Sequence, residues 1–307
     1  MKLYYYKSPE GNFGDDLNTW LWPKVLPGLL DDDPSAYFLG IGTILNAYTA
    51  SQLPARAVKY VVGTGLGYPP LPFPYDSNWR FLSVRGPRTA DLLGLDSDTV
   101  TTDSACLTAL VAEPTMKVYD TSIMFHYASL DWYDWAPLCE RYGFNFIDPR
   151  WPVDEVLDAI LRSKVLLTEA MHGAIVADCL RVPWVPIVSY PAIHQFKWHD
   201  WCESLELPYK PAQVWPMWEK NSNGPLKAVS HGVKCRLVGR ALERIRRNVT
   251  PQLSSAGKLG CAMRRLVTCL SAFEEYCTPA VVSAECAEAI RRHSSSASEQ
   301  PVIFGTH

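Results

Sequence analysis

No stretch of this chain is apolar and long enough to cross a membrane. The greasiest, 174–193, is broken by Asp178, Arg181 and several prolines, whereas a spanning helix needs about 20 apolar residues in a row. The strand-like Lys2-Leu3-Tyr4-Tyr5-Tyr6 begins at once, with no cleavable apolar segment before it, so no secretion signal is expected. The nine cysteines include no CxxC pair, and an odd number cannot pair completely within one chain. Both facts fit a reduced, cytoplasmic compartment. Positive charge is not in excess either. With 29 Lys and Arg against 32 Asp and Glu, the formal charge is −3, which argues against a nucleic-acid partner. No glycine-rich turn matches GxGxxG in the strand-turn-helix context of a dinucleotide site. His194 and His199 lack an established zinc spacing, so no metal is expected.

What is present is alternation. Across 307 residues, enough for two domains or one large one, short apolar runs alternate with turns and helical patterns, the mark of parallel α/β units. Strands are predicted at 2–6, 36–40, 58–62 and 80–84, then at 121–127, 144–147, 165–168 and 184–189. Helices are predicted at 131–142, 153–163 and 171–181. The helix from Val153 is the clearest, with Val156, Leu157, Ile160 and Leu161 on one stripe and Pro152 at its start. This reading gives a domain over 1–115 and a second over 116–215, with a cleft between them of the kind small molecules favour. A helical segment follows at 216–247. It carries six basic residues and one acid over 234–247, which suits a solvated face, a packing element or a peripheral contact with an anionic inner-membrane face. Residues 248–307 read as a weakly structured helical or flexible tail, with Ser294-Ser295-Ser296-Ala297-Ser298 flexible.

The stretch Thr168-Glu169-Ala170-Met171-His172-Gly173-Ala174 places His172 in the first turn of a helix that follows a buried strand. Unpaired backbone N–H groups and the dipole's positive end favour phosphate or carboxylate there. A histidine that only caps or packs is the plain alternative. Arg85 also follows a strand and precedes a helix starting near Pro87; with Arg88 it offers a guanidinium fork for an anion, or an ordinary pairing with a local acid. Strands in the first half end in Gly11-Asn12-Phe13-Gly14-Asp15-Asp16, in Gly40-Ile41-Gly42-Thr43 and in Gly63-Thr64-Gly65-Leu66-Gly67. Small residues there let backbone approach a ligand, or simply make tight turns. Asp15 and Asp16 either satisfy helix amides or serve as hydroxyl ligands and a general base. Asp103 is a hydroxyl ligand or an N-cap. His126, at the end of its strand, points toward the same cleft, and Lys197 is an anion contact.

Gly11-Asn12-Phe13-Gly14-Asp15-Asp16, Val84-Arg85-Gly86-Pro87 and Met171-His172-Gly173-Ala174-Ile175, taken in order and separation, resemble the polysaccharide pyruvyl transferase family over residues 1–215. The chain looks most like its bacterial exopolysaccharide, succinoglycan-type ketal-pyruvyl transferases. The resemblance implies an α/β fold of two Rossmann-like doubly wound domains facing a cleft, GT-B-like, with a helical C-terminal extension. It also implies a cytoplasmic transferase without metal or organic cofactor, which uses phosphoenolpyruvate as co-substrate and a glycan acceptor, such as a lipid-linked oligosaccharide at the inner membrane face. His172, Arg85, His126 and Asp15 become the catalytic set. Asn12, Gly14, Asp16, Gly42, Gly65, Arg88, Asp103, Glu169, Gly173 and Lys197 become the substrate contacts. Many relatives carry arginine two residues before the histidine, where this chain has Ala170, so Arg85, Arg88 or Lys197 must replace that charge. Two other readings share the plan: a nucleotide-sugar glycosyltransferase, and a non-catalytic sugar-binding homologue.

Overall fold

The computed structural model describes residues 1–69, 73–191, 193–218, 225–273, 288–289 and 291–294, except for the side chains of 225–229 and 271. Among the described residues, nine short strands form two sheets. β1 (Lys2–Leu3), β2 (Ala36–Leu39), β3 (Val58–Val61) and β4 (Trp79–Phe81) lie side by side in chain order. β5 (Ser122–Met124), β6 (Asn145–Phe146), β7 (Leu166–Thr168), β8 (Trp184–Val188) and β9 (Ala212–Gln213) take the order 6-5-7-8-9. Every strand pair is parallel. Parallel neighbours need crossover connections, and helices supply most of them: α1 (Phe13–Val25), α2 (Ala47–Gln52), α3 (Pro87–Leu93), α4 (Thr108–Val111), α5 (Ala136–Arg141), α6 (Val153–Leu161), α7 (Met171–Cys179) and α8 (Gln195–Ser204). Two longer helices follow, α9 (Pro225–Asn248) and α10 (Ala256–Leu270).

The architecture is thus mixed α/β with two all-parallel sheets, as the alternation predicts. Strands end earlier than their apolar runs because the chain peels away from the sheet to build loops at the carboxyl edge. The clearest case is β1: Tyr4 still donates its N–H to Phe38 O at 2.9 Å, while Tyr5 and Tyr6 have left the ladder. The predicted helix 131–142 shrinks to α5, and β9 lies in a Trp- and Pro-rich stretch that gave no strand signal.

One apolar cluster joins the two halves of the chain. It contains Phe13, Leu17 and Trp22 of α1, Phe38 of β2, Ile175 and Val176 of α7, and Trp198 and Trp201 of α8. The same cluster takes in Leu259, Met263, Leu266 and Leu270 of α10, so the region beyond residue 248, expected to be weakly structured, contributes a buried helical stripe at spacings of three and four. Ser294 ends a further short helical stretch, and 295–298 lie outside the described residues. In α7 every residue except His172 is buried, which is why its sequence reads as apolar all round and why its one accessible side chain faces a cavity.

Candidate active site

Strand order 6-5-7 reverses direction at the β5–β7 pair. The connections leave to opposite sides there, opening a crevice beyond the carboxyl ends of the strands. His126 follows β5 by two residues and His172 stands in the first turn of α7, directly after β7. Both line a cavity of about 460 Å³, together with Asn12 and Asp15 from the start of α1, Thr43 beyond β2, and Lys197 of α8. The carboxyl edges of both sheets therefore meet at one pocket.

The polar groups are tuned by burial and by one another. Asn12 Nδ2 donates to Asp15 Oδ2 at 2.6 Å. Burial pushes the Asp15 carboxyl up to about 6, against the opposing pull of His172, the Asn12 amide and Lys197. Burial and the nearby Arg85 charge bring Lys197 down to about 8. Burial, aided by Lys197, holds His126 down to about 3, and its Nδ1 accepts from Ala128 N–H at 3.3 Å. His126 is therefore a neutral acceptor near neutral pH and the weaker of the two candidate bases. The two helix starts differ as well. α1 has Asp15 and Asp16 in its first turn, and Asp16 Oδ2 accepts from Asn12 N–H at 3.0 Å, so its own carboxylates meet its dipole. α7 has no acid in its first turn and no side-chain cap from Ala170, which leaves its N–H groups to a ligand anion.

Several expected contacts are placed differently. Arg85 is fully buried: Nε donates to Asp200 Oδ2 at 3.0 Å, Nη1 to Thr43 Oγ1 at 3.0 Å and Nη2 to Leu66 O at 2.8 Å. Three of its five N–H donors are taken inside the protein, and the group has no accessible surface and does not line the cavity; it positions Thr43, which does. Arg88 is paired with Glu203 at 2.6 Å on the surface. Glu169 is buried and accepts from Ser129 Oγ at 2.8 Å, from His126 N–H at 3.3 Å and from Ser189 N–H, so it braces the two post-strand loops. Asp103 is fully buried, with Oδ1 capping Ala105 N–H at 3.0 Å, and reaches the site only through His172. The glycines admit protein rather than ligand. A Cβ built on Gly14 would stand 1.8 Å from His172 Nδ1, one on Gly65 2.4 Å from Arg85 Nη2 and one on Gly173 2.8 Å from Met124 Sδ. Gly42, at φ +119°, holds a turn that L side chains rarely adopt. Asp16 stands at the α1 start outside the cavity lining.

Sequence reasoning missed the tyrosines. Tyr4, Tyr6, Tyr48, Tyr68 and Tyr127 all line the cavity, and Tyr48 is 61% exposed, Tyr6 47% and Tyr68 46%. The Tyr4-Tyr5-Tyr6 run was visible as strand, but that it would leave the ladder was not. Lys197 is the only Lys or Arg lining the cavity among the described residues. No cluster of three or more His, Cys, Asp or Glu suited to a metal occurs among them, and no helix there is long and apolar enough to cross a membrane.

Two comparisons bear on this site. The family model for polysaccharide pyruvyl transferase matches residues 35–190, a span that holds His126 and His172 and leaves Asn12, Asp15 and Lys197 outside it. The chain is also similar to succinoglycan biosynthesis protein ExoV of Rhizobium meliloti (strain 1021), at 40% identity over 217 residues, covering 70% of this chain and 68% of that protein.

Proposed function

The chain belongs to the polysaccharide pyruvyl transferase family, and we propose that its cavity joins phosphoenolpyruvate to a sugar of an exopolysaccharide repeat unit, forming a pyruvate ketal and releasing phosphate. The observation that carries this reading is the placement of His172, Asp15 and Lys197 in one cavity at the β5–β7 switch point. The likeness to a protein named for succinoglycan biosynthesis supports an exopolysaccharide acceptor. The two sheets, one on either side of about residue 115, support a GT-B-like division into two Rossmann-like lobes.

Phosphoenolpyruvate carries a phosphate and a carboxylate. Lys197 and the open N-terminus of α7 supply the two anion contacts, in place of Arg85. The enol carbon must gain a proton before C2 becomes electrophilic, and His172 is the donor. A sugar hydroxyl then adds to C2, losing its proton to Asp15, whose carboxyl near 6 suits a base at neutral pH. Departure of phosphate and attack by a second hydroxyl on C2, whose proton returns to His172, close the ketal, and Asp15 gives up its proton to the released phosphate. The exposed Tyr6, Tyr48 and Tyr68 offer ring faces for sugar C–H groups and hydroxyls for sugar oxygens. No metal or organic cofactor enters these steps. The test is phosphate release from phosphoenolpyruvate with a panel of lipid-linked and soluble glycosides. Acceptor-dependent release that is lost in His172→Ala supports the reading, and hydrolysis of a nucleotide sugar instead would replace it.

A further inference from the structure

The transfer reading leaves α9 unused. From Cys235 on, its buried stripe is Cys235, Val238, Leu242 and Ile245, packed beside Tyr133, Trp135 and Met217. At about 100° per residue, the arc opposite that stripe holds Val233, Arg236, Leu237, Arg240, Arg244 and Arg247, all of them exposed. Glu243 is the only acid of the helix and lies 3.8 Å from both Arg246 and Arg247. Arg236, Arg240 and Arg244 make no ion pair among the described residues. In a chain of net charge −3, this concentration of guanidinium groups is local rather than a property of the whole surface.

Two features separate this face from an ordinary solvated helix. Val233 and Leu237 are 49% and 42% exposed in the midst of the arginines. Two exposed tryptophans, Trp132 at 45% and Trp218 at 52%, meet edge to face at 5.0 Å. Trp132 adjoins Tyr133, whose hydroxyl is 3.5 Å from Cys235 Sγ on α9. Tryptophan and arginine with interspersed aliphatic side chains is the composition of a headgroup-level contact. Asp131 and Asp134 flank Trp132 and are exposed, so the attraction to anions resides on the helix and the tryptophans add apolar area beside it.

We propose that this face of α9 docks on an anionic lipid bilayer. The helix lies along the surface, with Arg236, Arg240, Arg244 and Arg247 among the headgroups over about 17 Å and Val233 and Leu237 at the acyl boundary. The proposal is independent of the chemistry in the cavity, although it suits a transferase whose acceptor is tethered to lipid.

The full chain, mixed with vesicles of phosphatidylcholine alone or with phosphatidylglycerol added, is sedimented at low and high salt. The expected result is retention on the anionic vesicles only, reversed by salt. The variant Arg236→Gln/Arg240→Gln/Arg244→Gln binds about a hundredfold more weakly, since each arginine near such a surface is worth roughly fivefold, and its thermal melt matches the parent. If that variant melts early, Arg240→Glu alone reports the same direction from a single exposed site. Equal retention on neutral vesicles, undiminished binding by the arginine variants, or capture by soluble polyphosphate without vesicle binding would each overturn the proposal, the last by assigning the face to a soluble polyanion.

Discussion

Asp103 Oδ2 lies 3.7 Å from His172 Nε2, and both atoms are buried without a hydrogen-bond partner among the described residues. The gap is too long for a hydrogen bond yet short enough for a strong charge interaction in the interior. Asp103 thus stands beside Nε2 as a group that can orient the imidazole, whose Nδ1 edge lies against Gly14. Asp103→Asn keeps the cap on Ala105 N–H and removes the charge. It is expected to lower kcat about 10- to 100-fold, with the donor KM nearly unchanged, whereas His172→Ala loses about 10²-fold or more. Steady-state phosphate release measures both, and an unchanged kcat in Asp103→Asn would remove Asp103 from the machinery.

Gly14 is the floor against which the His172 ring rests. A methyl group there would stand 1.8 Å from Nδ1 and 2.5 Å from Cγ, so the imidazole must turn away. Gly14 has an ordinary φ inside α1, where alanine itself favours helix. Helix propensity tolerates Gly14→Ala, but displacing the packed ring is expected to lower Tm somewhat, and the variant should lose about as much activity as His172→Ala. A full-speed Gly14→Ala enzyme would show that the ring does not need this position.

His172 was legible because its signal is local: an apolar strand, a turn and a helix with one polar residue in its first turn. Lys197 and Asp15 were found among several equally polar neighbours, since nothing in sequence tells a cavity wall from a surface. The strand and helix that flank Arg85 fit an anion clamp as well as a pairing with an acid. What decides between the two is Asp200, 115 residues away in sequence, on a helix whose packing against α3 no local pattern encodes. The glycines were legible as close approaches but not what approaches them. The burial of α10 was not legible for a related reason: 248–307 suits a helical tail, but the stripe Leu259, Met263, Leu266 and Leu270 needs the α1 and β2 core to have meaning.

The Arg85–Asp200 pair is fully buried on both sides, and Asp200 also accepts from Thr89 N–H at 2.9 Å and Thr89 Oγ1 at 2.7 Å. Removing one partner strands the other charge, so Arg85→Met is expected to cost about 3–5 kcal/mol of stability. The double variant Arg85→Met/Asp200→Leu should recover a good part of that loss. Chemical denaturation of the single and double variants measures it. Lost activity in Arg85→Met with full stability would instead return Arg85 to the role of an anion clamp.

Lys197 supplies the cavity's side-chain cation, and its ammonium sits near 8. Donor affinity should accordingly weaken as pH rises through about 8, where the charge is lost. A bound anion raises that value, so binding takes up protons near pH 8. Lys197→Met is expected to raise the donor KM about tenfold or more and to flatten the alkaline limb of kcat/KM. An unaltered alkaline limb in the variant would assign that limb to another group.

Asp15 couples function to stability in the opposite sense. Its carboxyl titrates near 6 in the fold and near 3.8 when unperturbed, so between those values the native state holds more protons than the unfolded chain. By linkage, stability falls as pH rises through that window. Above about pH 6 the buried carboxylate is a full liability, of order 3 kcal/mol; toward about pH 4 most of that cost is gone, because the unfolded carboxyl is being protonated as well. Asp15→Asn keeps the shape and discards the charge. The variant should therefore melt higher than the parent at about pH 7.5 and nearly match it at about pH 4, while acceptor-dependent phosphate release falls about 10²-fold if the carboxylate takes the hydroxyl proton. Such an exchange of stability for chemistry is what a strained catalytic group produces. Equal melting temperatures at both pH values would mean that the carboxylate finds compensation in the fold, and activity retained in Asp15→Asn would pass the base to a water or to the acceptor itself.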